Sequence, residues 1–218
     1  MSDTKLAIVV VTWGQWKHKL PLFLHSCMLQ EDQRFRVDVY HDGNKLDPDF
    51  ETRRSASETE GLVEDFKDRF LDDIFPVSLV CTEQRYNDWG HSLREIGIKN
   101  CSTEYLNIQN GDNYLTPLFT RLLLEKAITE NLDFCYCNIL HNYPNVNFDG
   151  AGPYNVLNSS PRQDHIDISN FIVRTELAQK VGFTDRSFGA DGIFVEKLVK
   201  TFPAMRIGKV RSCLSVHN

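Results

Sequence analysis

Residues 6–12, Leu-Ala-Ile-Val-Val-Val-Thr, are apolar at every position but the last. A continuous run rich in β-branched residues reads as a strand buried on both faces, the kind found inside a parallel sheet. Pro21 then opens a helix, with Leu20, Phe23, Leu24, Cys27 and Met28 recurring along one stripe. The alternation continues with a strand over 35–40, which ends at His41-Asp42-Gly43, and a helix striped by Leu62, Val63, Phe66, Phe70 and Leu71. A strand over 77–82, a shorter helix over 88–99 and a strand over 105–109 follow; the last stops at Asn110-Gly111-Asp112-Asn113. Thr116-Pro117 predicts the N-cap and first residue of a helix carried by Leu118, Leu122, Leu123 and Ile128. Beyond it the pattern predicts strands over 134–140 and 168–174, a short helix capped by Thr175 and ended by Gly182, a helix over 190–200 and an extended segment over 205–216. Residues 142–162, rich in Asn, Pro, Gly and Ser, read as a long loop, and loops of that length inside a domain are often functional.

Strand and helix alternate through the first two thirds of the chain. That order predicts an α/β fold, a mostly parallel central sheet with right-handed crossovers and helices on both faces. Ligands of such sheets bind outside the carboxyl ends of the strands. Three strand ends, Thr12-Trp13-Gly14, His41-Asp42-Gly43 and Asn110-Gly111-Asp112, are therefore expected on one edge.

The 218 residues fit a single α/β domain over 1–218. A net charge of −6 and a pI near 5.6 argue against a nucleic-acid partner, whose phosphates call for a basic face. The acidic stretch 58–73 is interleaved with Lys67, Arg69 and spaced apolar residues, so it reads as the solvated face of a helix. Six cysteines form no CxxC pair. No run approaches the roughly 18 apolar residues of a membrane span, and no signal peptide is legible. The expectation is reduced thiols, no transmembrane segment and a cytoplasmic location.

Asn110-Gly111-Asp112-Asn113 is either a solvated turn or a divalent-cation site. A carboxylate at a strand end beside amide oxygens offers hard ligands to Mg²⁺ or Mn²⁺, and Gly111 would let phosphates approach the backbone. As a strand-end group, Asp112 is expected to be exposed. Asp42 is either a turn residue or an acceptor for a base N–H or a ribose hydroxyl. Trp13 is either core or a flat cover for a ring. Asp191, where a loop turns into the last helix, is either an N-cap or a general base. His217, His91 and His141 read by default as surface or core histidines. No GxSxG, Walker A or GxGxxG motif occurs.

Taken in chain order, these segments resemble the GT-A glycosyltransferases, above all glycosyltransferase family two. Val10-Val11-Thr12-Trp13 is similar to that family's opening strand, and His41-Asp42-Gly43 to its Asp-Asp-Gly. Gly90-His91-Ser92-Leu93-Arg94-Glu95-Ile96-Gly97-Ile98 resembles its Gly-x-x-x-Arg-Asn-x-Gly-Ile segment. Residues 105–117 resemble the strand leading into the DxD signature, with Asn110 in place of the first aspartate. Ser169-Asn170-Phe171 and residues 180–185 look like the acceptor-side strand and the turn after it. Ala190-Asp191 stands at the Glu-Asp position. The resemblance covers roughly residues 6–200. It implies a GT-A, Rossmann-like nucleotide-diphospho-sugar transferase fold, with a nucleotide-sugar half over about 1–115 and an acceptor half over about 116–218. It implies transfer of a sugar from a nucleotide-sugar, a UDP-sugar foremost, to a hydroxyl of a saccharide or other acceptor. Thr12, Trp13 and Asp42 would hold base and ribose, with Arg94 nearby. Asn110 and Asp112 would hold Mn²⁺ or Mg²⁺ beside the diphosphate, with Gly111 between them. Asp191 would be the base of one inverting displacement, and His217 a C-terminal metal ligand. The rival readings are a sugar-phosphate nucleotidyltransferase and an inactive nucleotide-sugar-binding module.

Overall fold

The structure, a computed structural model, describes residues 4–13, 19–70, 75–141 and 154–217. The first strand, β1 (Leu6–Thr12), is buried along its whole length. Leu6, Ile8 and Val10 point into one core cluster, and Ala7, Val9 and Val11 into the other. The period-two alternation of a strand thus serves two faces at once, which explains why no position before Thr12 is polar.

Helix α1 (Leu20–Met28) packs Leu20, Phe23, Leu24 and Cys27 onto the first face. Strand β2 (Phe35–His41) lies parallel to β1, and β3 (Val77–Cys81) lies parallel to β2. Between them α2 (Phe50–Arg69) is capped by Asp49, whose side chain accepts from the Thr52 amide, and its acidic side is solvated as expected. Leu71 lies outside the described residues. Helix α3 (His91–Asn100) leads into β4 (Tyr105–Asn110), which pairs parallel to β1 on its other side. Gly97 of α3 sits so close to Val9 that a Cβ there would overlap its side chain.

The second part of the chain departs from simple alternation. After the short β5 (Tyr114–Leu115), α4 (Phe119–Thr129) starts at Phe119, not after Thr116. The Thr116 carbonyl accepts from the Phe119 amide in a turn, while its buried hydroxyl finds no partner, so it caps nothing. The helix buries Phe119, Leu123, Leu124 and Ala127, and leaves Ile128 exposed. Strand β6 (Phe134–His141) follows. The predicted loop contains β7 (Asn155–Leu157), antiparallel to β6; residues 142–153 lie outside the described residues. The expected strand over 168–174 is a 3-10 turn, Ile168–Asn170, followed by β8 (Phe171–Arg174). Helix α5 (Thr175–Val181) has Thr175 as its first residue, not its cap, and ends at Gly182 with φ +68. Helix α6 (Ala190–Thr201) and strand β9 (Ile207–His217) complete the order.

Among the described residues nine strands join one sheet in the order β3-β2-β1-β4-β8-β6-β9-β5, with β7 beside β6. Strands β1, β2, β3, β4, β6 and β9 run in one direction; β5, β7 and β8 run against them. The consequence is positional. The carboxyl ends of β6 and β9, at His141 and His217, emerge on the same edge as those of β1, β2 and β4.

Candidate active site

Along that edge runs a cleft of about 760 Å³. Thr12, Trp13, Asp42, Arg94, Asn110, Asp112, Asp191 and His217 all line it. The chain segments that carry them are separated by up to two hundred residues; strand ends and the loops after them supply most, while α3 supplies Arg94 and α6 supplies Asp191.

At the β1–β2 end, Asp42 is buried and its carboxylate is an anchor. It accepts from the amides of Tyr86 (2.8 Å) and Asn87 (2.9 Å), and so holds the loop before α3 against the sheet. The Arg85 guanidinium lies over the Trp13 ring, 4.2 Å from its centroid. His41, next to Asp42, turns inward to Gly43 and Ser55 and is fully buried. Gly111 packs against Thr12, where a Cβ would come within 3.2 Å of the threonine side chain, so close packing of the end of β4 on its parallel neighbour β1 already accounts for the glycine.

In the centre, Arg94 donates from Nη2 to Asn110 Oδ1 at 2.9 Å, and its Nη1 lies 2.9 Å from His91 Nδ1. Glu95, the next residue, accepts from the Phe183 amide and bridges to Lys99. This fixes the Phe183 ring on which His91 stacks. Asp112, expected to be exposed, is only 4% exposed. Burial raises its pKa, and His217 and Lys19, whose ammonium is 3.6 Å away, oppose the rise.

At the far end stands a group absent from the sequence reading. Asp167 is buried and accepts at Oδ2 from His217 Nδ1 (2.9 Å) and lies 3.2 Å from His141 Nε2. Its Oδ1 accepts from the amide and hydroxyl of Ser169. Burial opposes ionisation, but His217 and His141 outweigh it and hold Asp167 well below the usual carboxylate range. Burial would likewise lower the His217 pKa, yet Asp167, aided by Asp112 and Asp191, carries it above the ordinary histidine value. One ligand atom from each of His141, Asp167 and His217 lies within 4.8 Å of the others, the spacing of a possible metal cluster. The Asx-type pattern Asp167-x-Ser169 is the one local signal that could have marked this turn.

Asp191 lies in the first turn of α6, whose N-cap is Gly189. It is not the cap; its carboxylate accepts from the Ile168 amide at 3.3 Å. Burial raises its pKa, Arg94 works against the rise and Asp167 adds to it. Ala190, where the resemblance expects an acid, is part of the core.

No protein-family pattern matches the chain, and no curated protein matches it by sequence. The fold nevertheless has close counterparts. S. aureus TarS, residues 1–349, is similar with a TM-score of 0.71 at 16% identity, over 98% of this chain and 60% of that one. The same segment of TarS in complex with UDP-GlcNAc gives 0.68 at 16% identity, over 97% and 58%. The mannosyltransferase PcManGT from Pyrobaculum calidifontis, in complex with GDP-Man and Mn²⁺, gives 0.68 at 13% identity, over 98% and 56%. These are GT-A type glycosyltransferases, and the chain has their fold, a mixed, mostly parallel curled sheet flanked by helices. It spans at most 60% of the length of these three chains.

Proposed function

We propose that this protein is a metal-dependent glycosyltransferase that moves a sugar from a nucleotide-sugar, foremost a UDP-sugar, to an acceptor hydroxyl with inversion. The observation that carries this reading is the convergence of Asp112, Asp191 and His217 in one cleft beside Thr12, Asp42 and Arg94. The UDP-GlcNAc and GDP-Man named for the structural neighbours support a nucleotide-sugar donor, and the Mn²⁺ of one supports a metal.

The residues fit a divalent cation. Asp112 offers a hard oxygen, and His217 offers an imidazole nitrogen while Asp167 holds the other one, the arrangement ordinary for a metal-bound histidine. Asp112 and His217 are close enough to shift each other's proton affinity. Asn110 contributes by holding Arg94, since its side-chain oxygen takes that guanidinium. When bound, the cation would offset charge on the leaving nucleoside diphosphate.

The chain's own residues supply the rest. Trp13 offers a ring face, and Thr12 and Asp42 offer oxygens, to base and ribose. Arg94 brings a fixed positive charge to the centre of the cleft. Asp191 takes the proton of the acceptor hydroxyl on a carboxylate oxygen as that hydroxyl attacks the anomeric carbon. Burial that raises its pKa makes it a stronger proton acceptor than an exposed aspartate. Residues up to about 115 form the donor half and the remainder the acceptor half.

Incubation with UDP-GlcNAc, UDP-glucose, UDP-galactose and GDP-mannose, with and without Mn²⁺, tests the reading. The expected result is Mn²⁺-dependent release of free nucleoside diphosphate from one donor, stimulated by a hydroxyl acceptor. Binding without release under every condition would leave an inactive binding module. Formation of a sugar phosphate and a nucleoside triphosphate from added pyrophosphate would indicate a nucleotidyltransferase instead.

A further inference from the structure

Two large aromatic rings stand open to solvent in the cleft. Trp89 is 78% exposed and Phe188 is 90% exposed, and both line it. A single exposed apolar side chain needs no explanation, but two in one cleft mark a surface that meets a ligand. The backbone adds to the case. Trp89 has φ +56, in a turn that also holds Asn87 at φ +53 and Gly90 at φ +81. Left-handed backbone is unfavourable for a bulky side chain, yet this turn is firmly held. Asp42 accepts from the amides of Tyr86 and Asn87, and Asp88 accepts from the amide (3.0 Å) and hydroxyl (2.7 Å) of Ser92 in α3. The turn thus fixes an indole in water, where it gains little core packing. Strain kept without a packing gain belongs to a functional site.

The position indicates which ligand. Phe188 directly precedes Gly189, the N-cap of α6, and stands three residues before Asp191. A hydroxyl that reaches Asp191 therefore lies within about one helical turn of Phe188. The two aromatic turns are tied together. Arg186 Nε is 3.4 Å from Asp88 Oδ2, and His91, which meets the Trp89 ring at near right angles, stacks on Phe183. Both rings therefore border the space that opens onto the base, where an acceptor lies. Asp164 lines the cleft on this flank too, because Gln163 beside it packs on Gly189 and Gly192. The carboxylates of Asp164, Asp167 and Asp191 face cations that are already engaged: Arg186 with Asp88, Arg94 with Asn110 and His217 with Asp167. An anionic acceptor would meet like charge there. A neutral sugar meets what it needs, since the C–H face of a pyranose suits the negative face of an aromatic ring and its hydroxyls donate to carboxylates.

We propose that the acceptor is a neutral saccharide whose pyranose ring lies on Trp89 and Phe188. This rests on the glycosyltransferase reading above.

Release of nucleoside diphosphate in Mn²⁺, from whichever nucleotide-sugar the parent binds, is measured with six acceptors. They are the methyl glycosides of glucose, galactose, mannose and N-acetylglucosamine, cellobiose, and the acyclic anion glycerol phosphate. A saccharide should stimulate release and glycerol phosphate should not. Trp89→Ala and Phe188→Ala should each raise the KM for that saccharide roughly five- to tenfold, with donor affinity by calorimetry within about twofold of the parent. Trp89→Tyr and Phe188→Tyr, which keep a ring, should recover most of the loss. The saccharide should also shift the tryptophan fluorescence of the parent, and Trp89→Tyr should lose that shift. A loss of donor affinity as large as the rise in acceptor KM would assign the rings to the transferred sugar and overturn the proposal. An unchanged KM in both alanine variants, or a preference for glycerol phosphate, would overturn it too. A parent that binds a nucleotide-sugar but responds to no saccharide sinks the proposal and leaves the glycosyltransferase reading standing. A parent that binds none of UDP-GlcNAc, UDP-glucose, UDP-galactose and GDP-mannose removes that reading itself.

Discussion

Asp191 and Trp89 carry the two residue-scale predictions. Asp191→Asn retains shape but accepts a proton poorly, so transfer should fall roughly 100-fold or more while nucleotide binding persists. Because burial raises the Asp191 pKa, its carboxylate is protonated as pH falls through a value above the usual aspartate range. The acid limb of the parent's kcat/KM profile should therefore lie above that range and be absent from the residual activity of the variant. Wild-type turnover by Asp191→Asn would remove the assignment. Trp89 has φ +56, a left-handed conformation unusual for a bulky residue, while its ring is mostly exposed. Such strain costs about 1–2 kcal/mol, and little packing is lost with an exposed ring. Trp89→Gly should be at least as stable as the parent in urea. A clear loss of stability would show that the ring supports the fold and does not merely line the cleft.

At the scale of elements, strands that begin near one another need a local tie. Asp133, just before β6, accepts from Arg174 at the end of β8 and from the side chain and amide of Arg206, ahead of β9. Burial opposes ionisation, but Arg206 and Arg174 hold the carboxyl below its usual range. A depressed folded pKa means stability that is present above the unfolded value, about 3.9, and lost as pH falls through the folded one. Asp133→Asn should cost on the order of 2 kcal/mol at pH 7, and the difference from the parent should close at strongly acidic pH. Denaturant titrations at both pH values check the sign; a penalty unchanged by acid would assign it to packing. The same scale explains the misread segments. Pairing of β4 with β8 stops after Tyr105 and Leu106, and the buried amides of Asn107 and Gln109 reach the carbonyls of Ser169 and Phe171 instead. That splay turns 168–170 into a 3-10 turn, for which the Asp167-x-Ser169 pattern is the one local signal.

For the molecule as a whole, the cleft depends on β9 returning parallel to β6, so that His141 pairs with His217. Ligand binding should therefore register as global stabilisation. UDP with Mn²⁺ at about 100 times its dissociation constant should add about 2.7 kcal/mol, a rise of roughly 5–10 °C in Tm. Asp112→Asn should remain folded, because it removes a charge whose burial is unfavourable, and should lose the Mn²⁺-dependent part of that rise. Deleting residues 217–218 should weaken Mn²⁺ more than Mg²⁺, which prefers oxygen ligands. If both variants shift as the parent does, neither Asp112 nor His217 holds the metal. Among the described residues no helix is long and apolar enough to cross a membrane, and the six cysteines are unpaired.

Hydrophobic periodicity determined the early elements by itself. A strand buried on both faces must be apolar throughout and a crossover helix must be striped, so β1 to β4 and their helices could be read directly. The order of motifs also placed Thr12, Asp42, Asn110 and Asp112 on one edge, because parallel strands end together. Three things needed the tertiary structure. The direction of β6 and β9 arises from pairing between segments about seventy residues apart, and it alone joins His141 and Asp167 to His217. The burial of Asp112 depends on neighbours contributed by the rest of the sheet, which sequence position does not encode. The sharing of one cleft by Trp89 and Phe188 depends on the packing of two distant turns, which Asp88 and Arg186 tie together. Local propensity acts over a few residues, whereas a site is made by contacts that close long loops, and these are decided by the packing of the whole sheet.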